Sequence, residues 1–124
     1  MARIVIAEDE PDIRELVAFT LRFAGHEVTA TANGEEALNQ AMKIVPDIII
    51  MDVRMPKMTG YDACRAMKKE ANLKDIPVVF LSAKGQDSEI QTGLEAGAEE
   101  YLLKPFAPDQ LVERVKVILG KFGK

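Results

Sequence analysis

Short apolar runs alternate with amphipathic segments along the whole chain. Three runs are continuously apolar over four residues, which is typical of strands covered by helices on both faces of a parallel sheet; they are Ile4–Ala7, Ile48–Met51 and Val78–Leu81. Two other segments, Glu27–Thr31 and Glu99–Leu103, are more polar and fit the edges of a sheet. The pattern therefore predicts five strands, with the three continuous runs in the centre.

Five helical patterns accompany these strands. The first begins at Pro11, a residue that suits the first turn of a helix, and ends before Gly25, a common helix stop. It predicts one buried stripe, made of Ile13, Leu16, Val17, Thr20, Leu21 and Ala24. The other four patterns lie after Gly34, after Gly60, before Gly97 and after Pro108. With right-handed crossovers, the alternation predicts an α/β fold: a doubly wound, flavodoxin-like, five-stranded parallel sheet of order 2-1-3-4-5, flanked by five helices.

Length and composition limit the classes of protein to consider. The 124 residues suit one domain, 1–124, and 48% hydrophobic with 29% charged residues is ordinary globular composition. A net charge of −4 provides no general attraction for nucleic acid, so direct binding to nucleic acid is not expected. The longest apolar run has four residues, and the first residues lack a signal-peptide pattern, so we expect a cytoplasmic protein without a membrane span. Cys64 is the single cysteine, and its helical spacing predicts a buried, unreactive thiol.

Polar side chains follow four of the five predicted strands. Glu8 and Asp9 follow the first strand, Asp52 the third, Ser82 the fourth and Lys104 the fifth. Open α/β sheets bind ligands at the carboxyl ends of their strands, so these side chains are expected to meet there. Each has an ordinary explanation by itself, such as a helix start, a turn residue or a solvated charge. Together they indicate a site, because three neighbouring carboxylates repel one another unless a cation lies among them.

The chemistry of these side chains suggests both an ion and a reaction. The ligands are oxygen atoms, mostly of carboxylates, and neither histidine nor thiolate is among them, which favours Mg²⁺. A carboxylate beside Mg²⁺, with an ammonium and a hydroxyl nearby, can attack a phosphoryl group. Asp52 is the best placed nucleophile, because it follows the middle strand.

Four motifs in this order resemble those of the receiver domains of bacterial two-component response regulators, over essentially the whole chain. They are Glu8-Asp9, the segment Asp52-Val53-Arg54-Met55-Pro56-Lys57-Met58-Thr59-Gly60, Ser82-Ala83 and Lys104-Pro105-Phe106. The resemblance implies that Asp52 accepts a phosphoryl group from a histidine kinase. It also implies that Mg²⁺ is held by Glu8, Asp9, Asp52 and the main-chain carbonyl of Arg54.

The resemblance further implies how phosphorylation changes the domain. Lys104 would pair with a phosphoryl oxygen, and the Lys104-Pro105 peptide bond would be cis. Ser82 would turn its hydroxyl toward the phosphoryl group. Tyr101, at the position of the family's switch aromatic, would rotate inward and shift the face formed by the fourth helix, the fifth strand and the fifth helix.

The output of the domain follows from a narrower resemblance. The stretch 93–101 and Arg114 are similar to receivers attached to winged-helix DNA-binding domains, which dimerise through that same face. This implies a downstream effector domain or protein and a phosphorylation-dependent homodimer. The fourth helix, however, carries no basic residue in Ser88–Thr92, where such receivers usually have one.

Three other functions compete with the switch. The first is a degenerate receiver that acts as an interaction module independently of phosphorylation. A phosphohydrolase with an aspartate nucleophile is a weaker alternative, because such enzymes commonly have a second acid two residues later, where this chain has Arg54. A flavin binder is weaker still, since Glu8, Asp9 and Glu10 would repel a phosphate after the first strand.

Overall fold

The computed structural model describes residues 2–82, 87–103 and 106–123. Strands and helices alternate as the hydrophobic pattern predicts. In chain order they are β1 (Arg3–Ala7), α1 (Pro11–Phe23), β2 (Glu27–Thr31), α2 (Gly34–Ile44), β3 (Ile48–Asp52), α3 (Gly60–Lys68), β4 (Val78–Ser82), α4 (Asp87–Glu95), β5 (Glu100–Leu103) and α5 (Pro108–Lys121).

The five strands form one parallel sheet of order β2-β1-β3-β4-β5, which confirms the predicted topology. The two more polar strands, β2 and β5, are the edges. The central strands β3 and β4 are buried at every position. Their continuous apolar sequences follow from this position, since both faces of a central strand are covered by helices.

Alternate residues of each central strand point to opposite faces of the sheet and into two separate cores. On one side, Ile49, Met51 and Phe80 pack with side chains of α2 and α3. On the other side, Ile50 and Leu81 pack with side chains of α1 and α5. The two helical layers therefore cover the sheet from both faces.

Local signals define where the helices begin. The Asn33 side chain accepts a hydrogen bond from the main-chain N–H of Glu36 at 2.9 Å and caps α2. The Thr59 hydroxyl accepts one from the N–H of Asp62 at 3.1 Å and caps α3. Both α1 and α5 begin at a proline. A side-chain cap supplies a partner for an N–H group that the first helical turn leaves unpaired. A proline at the start of a helix removes one of these N–H groups.

The predicted stripe of α1 is only partly correct. Val17, Thr20 and Leu21 are buried, but Ala24 is exposed and Leu16 is 48% exposed. It lies on the outer face of the helix, where the rings of Phe19 and Phe23 stack with centroids 6.0 Å apart. The helix therefore turns a narrower face to the sheet than the apolar pattern suggests, because apolar residues also occur on its outer side.

The single cysteine is buried, as its spacing in the sequence indicates. The Cys64 thiol donates to the carbonyl of Ala96 at 3.2 Å, and burial raises its pKa to about 11. A thiol with such a pKa holds almost no thiolate at neutral pH and is unreactive. Among the described helices, none combines the length and the apolar character that a membrane span requires.

Candidate functional site

The carboxyl ends of β1 and β3 bring three acidic side chains together. Glu8 and Asp9 directly follow β1, and Asp52 is the last residue of β3. Each offers a carboxylate oxygen, and these oxygens all lie within 4.8 Å of one another. Glu8 and Asp52 are buried, whereas Asp9 is exposed. Three like charges at this separation repel by on the order of 1 kcal/mol per pair even in a water-like dielectric, so the cluster favours a cation.

Neighbouring elements hold Glu8 in place. Its main-chain N–H donates to the carbonyl of Thr31 at 3.1 Å, which extends the pairing of β1 with β2 by one residue. Its carbonyl accepts a hydrogen bond from the Arg14 guanidinium at 2.9 Å. One of its carboxylate oxygens accepts from the N–H of Glu10 at 3.3 Å. The β2 edge and the first turns of α1 therefore orient this carboxylate toward Asp52.

The loop after Asp52 is fixed to β3 and β4 at both of its ends. At its start, the N–H of Val53 donates to the carbonyl of Leu81 at 3.2 Å, and the N–H of Arg54 donates to the Asp52 carboxylate at 3.4 Å. At its end, the N–H of Gly60 donates to the carbonyl of Val53 at 2.9 Å. In between, Lys57 has a φ of 69°, in the left-handed region that favours glycine. The loop is therefore held in one conformation beside Asp52.

Two glycines allow helices to approach this loop closely. A Cβ atom on Gly60 would lie 2.3 Å from the carbonyl oxygen of Asp52, and one on Gly34 would lie 2.4 Å from that of Met58. Both distances are too short for any side chain, because the opposing atoms belong to the main chain. In the sequence, these glycines are recognisable only as the starts of helices. Nothing in the local sequence shows that they contact the loop after Asp52.

The structure describes some of the other predicted site residues and not all. Ser82 is the last residue of β4, next to Leu103 of β5 in the register, and is 3% exposed. Tyr101 lies in the middle of β5 and is half-buried. Lys104 and Pro105, including the predicted cis peptide bond, lie outside the described residues. The roles predicted for Ser82, Tyr101, Lys104 and the Arg54 carbonyl stay predictions.

Comparison with known proteins identifies the family. A family model described as the response regulator receiver domain matches residues 4–116. The chain is a response regulator receiver domain.

Relatives of this receiver domain agree with the assignment. The phosphate regulon transcriptional regulatory protein PhoB of Klebsiella pneumoniae is 39% identical over 121 residues, which is 98% of this chain and 53% of PhoB. The chain spans about half the length of the curated relatives it matches. The chemotaxis response regulator CheY4 of Vibrio cholerae is 36% identical, with a TM-score of 0.91, over 95% of this chain and 98% of CheY4.

A third relative bears on the acidic cluster of the receiver domain. The receiver domain of the sensor histidine kinase PA1611 from Pseudomonas aeruginosa PAO1 is 31% identical, with a TM-score of 0.90, over 96% of this chain and 98% of that chain. That structure holds a magnesium ion coordinated in its active site cleft. In the present chain, Glu8, Asp9 and Asp52 form a group that is suited to hold a metal ion.

Proposed function

We propose that this receiver domain is a switch of a two-component phosphorelay, in which Asp52 accepts a phosphoryl group from a histidine kinase. The observation that carries the proposal is the position of Asp52. Its carboxylate lies at the carboxyl end of the central strand β3, and one of its oxygens lies within 4.8 Å of one carboxylate oxygen of Glu8 and one of Asp9. A nucleophilic carboxylate beside a group of metal-binding carboxylates is the arrangement that phosphoryl transfer needs.

The side chains around Asp52 fit Mg²⁺. All three donors are carboxylate oxygens, and together they carry enough negative charge to favour a divalent ion. We propose that Glu8, Asp9, Asp52 and the main-chain carbonyl of Arg54 hold it. When bound, Mg²⁺ neutralises the charge of the phosphoryl oxygens and of the cluster.

The reaction itself uses groups of this chain. A carboxylate oxygen of Asp52 forms a bond to phosphorus as the bond between phosphorus and the imidazole nitrogen of the kinase breaks, and the electron pair stays on the imidazole. Lys104 pairs with one phosphoryl oxygen, and Ser82 donates its hydroxyl to another. Because Asp52 is buried, the access of water is limited, and attack by water on the aspartyl phosphate is slow. The domain turns over no separate metabolite.

The proposed output is a shift of the face formed by α4, β5 and α5, with Tyr101 moving inward. Leu94 on α4 and Leu103 on β5 are exposed there, at 47% and 46%. Beside them, the Arg114 guanidinium donates two hydrogen bonds to the carboxylate of Glu100. An effector domain or protein would bind this face, and a second phosphorylated copy could pair with it in a homodimer. We expect no direct contact of this chain with nucleic acid or a membrane. A cytoplasmic location stays a prediction.

Intact mass measurement tests the proposed phosphorylation. The protein is incubated with acetyl phosphate, with and without Mg²⁺, and Asp52→Asn is the matched control. We expect a gain of one phosphoryl group that requires Mg²⁺ and is absent in the control. No gain in the wild-type protein would indicate an interaction module that works without phosphorylation. A gain that persists in Asp52→Asn would mean that another residue is the nucleophile, and turnover of phosphomonoesters would indicate a phosphohydrolase.

Replacement of Ser82 by alanine should weaken the conformational response without abolishing phosphorylation. To shift the ratio of active to inactive conformation from 1:99 to 99:1 requires about 5.5 kcal/mol. One hydrogen bond to a charged group contributes only about 1.5–3 kcal/mol. Ser82 therefore acts jointly with Lys104 and with main-chain amides near Ala83. NMR shifts of β5 and α4 amides on phosphorylation measure the response, and Ser82→Thr, which keeps the hydroxyl, is expected to retain it. An unimpaired response in Ser82→Ala would contradict this role.

A further inference from the structure

Three aromatic side chains from different elements meet beneath α4. The Phe80 ring of β4 is completely buried. Tyr61 of α3 packs edge-on against it, with ring centroids 5.3 Å apart, and Tyr101 of β5 does the same at 5.9 Å. The hydroxyl oxygens of Tyr61 and Tyr101 lie 2.9 Å apart, within hydrogen-bond distance. The two tyrosines are 40 positions apart in the sequence, so this contact exists only because of the fold.

Tyr101 is also packed closely against α4. A Cβ atom on Gly93 would lie 2.7 Å from Cε2 of Tyr101 and 3.0 Å from Cδ2 of Phe80. The helix therefore rests directly on the two rings, with no side chain between them. Any movement of the Tyr101 ring must change the space available to α4. The position of this ring therefore affects the α4–β5 part of the face formed by α4, β5 and α5.

Tyr61 is joined to Asp52 through the first turn of α3. It follows Gly60, whose N–H donates to the carbonyl of Val53 at 2.9 Å. Gly60 also lies so close to Asp52 that a Cβ atom would come within 2.3 Å of the Asp52 carbonyl oxygen. A displacement of the loop after Asp52 is therefore passed to the start of α3 and to the Tyr61 side chain.

We propose that Tyr61 is a positioning residue of the switch, whose hydroxyl holds Tyr101 against Phe80 and Gly93. This inference rests on the proposed function of Asp52 and adds a route to the α4–β5 face that does not pass through Ser82. The hydrogen bond is made with the Tyr101 ring packed on Phe80 and is lost when the ring turns outward, so it favours the inward position over the outward one. Because coupling between two sites is reciprocal, the same hydroxyl also strengthens the binding of a phosphoryl group, or of its analogue, at Asp52.

The composition of the chain makes this inference directly measurable. The protein has two tyrosines and no tryptophan, and both tyrosines belong to the pair. Protein labelled with fluorotyrosine therefore gives two ¹⁹F NMR resonances, which Tyr61→Phe and Tyr101→Phe assign. Beryllofluoride with Mg²⁺ is the probe, because it binds a carboxylate as a stable analogue of the phosphoryl group. Tyr61→Phe keeps the ring against Phe80 and removes only the hydroxyl.

In Tyr61→Phe we expect the Tyr101 resonance to move toward the position of an exposed tyrosine. We also expect beryllofluoride to bind between about twofold and tenfold more weakly, which is the effect of one lost neutral hydrogen bond. Thr29→Val removes a hydroxyl from the edge strand β2 and is expected to leave both measurements at their wild-type values. The free energy of unfolding is measured for each variant by urea denaturation.

The outcomes separate this inference from the function on which it rests. If Tyr61→Phe lowers stability but leaves the Tyr101 resonance and the beryllofluoride affinity unchanged, the tyrosine pair is merely structural and the inference is wrong. If the wild-type protein binds no beryllofluoride and gains no phosphoryl group, the proposed function fails and the inference fails with it. If the wild-type protein binds beryllofluoride and the variant binds it more weakly with a shifted Tyr101 resonance, the inference is supported.

Discussion

Replacement of Gly60 by alanine should lower the free energy of unfolding by about 3 kcal/mol, the cost of forcing an extra methyl group into a closely packed position. The added Cβ atom would meet the main-chain oxygen of Asp52 at 2.3 Å. A flexible side chain could move aside, but this oxygen belongs to the central strand. Either α3 must move away from β3 or the strand must bend at Asp52, so phosphorylation by acetyl phosphate should also become slower.

The matched control is Gly120→Ala in α5. Among the described residues, nothing beyond its chain neighbours and the nearby backbone of its own helix lies within 4 Å of the position that its Cβ would take, and the residue is exposed. Alanine in a helix loses less backbone freedom on folding than glycine, so this variant should be more stable by about 0.5 kcal/mol. Urea denaturation measures both changes. Equal stability of Gly60→Ala and the wild-type protein would show that α3 approaches β3 less closely than the structure indicates.

Replacement of Asp9 by asparagine should have opposite effects with and without Mg²⁺. In the absence of the ion, removing one of three neighbouring negative charges relieves repulsion and should raise the free energy of unfolding by on the order of 1 kcal/mol. With Mg²⁺ present, the variant lacks one of the proposed ligands, and its affinity for the ion should fall about tenfold or more. The stabilisation that Mg²⁺ provides at a given concentration falls accordingly.

Unfolding by urea in EDTA and in Mg²⁺, together with calorimetric titration, measures these two effects. Asp12→Asn is the matched control, because it removes the same charge from the first turn of α1. Asp12 lies outside the acidic cluster. This variant should leave Mg²⁺ affinity near the wild-type value and should not stabilise the protein. Wild-type Mg²⁺ affinity in Asp9→Asn would exclude this carboxylate as a ligand.

The sheet and the acidic cluster at the ends of its strands could be predicted from the sequence alone. Continuous apolar runs such as Ile48–Met51 are stable only where both faces of a strand are covered, which predicted the central strands. Right-handed crossovers and the two more polar edge strands then predicted the strand order. Once the strands are parallel and ordered, residues that follow β1 and β3 must lie at one end of the sheet. Glu8, Asp9 and Asp52 could therefore be grouped without a structure, because strand order converts sequence position into proximity.

The contacts between the helices and the loop after Asp52, and those among the aromatic rings, could not be predicted from the sequence. The local sequence around Gly34 and Gly60 predicts only that helices start there. The structure shows that these glycines also lie against the main-chain oxygens of Met58 and Asp52. The hydroxyls of Tyr61 and Tyr101 form a hydrogen bond that no local sequence pattern predicts. The exposure of Leu16 likewise reversed a prediction based on periodicity. Hydrophobic periodicity specifies which face of an element is apolar, whereas contacts of this kind depend on the placement of whole helices to within an ångström.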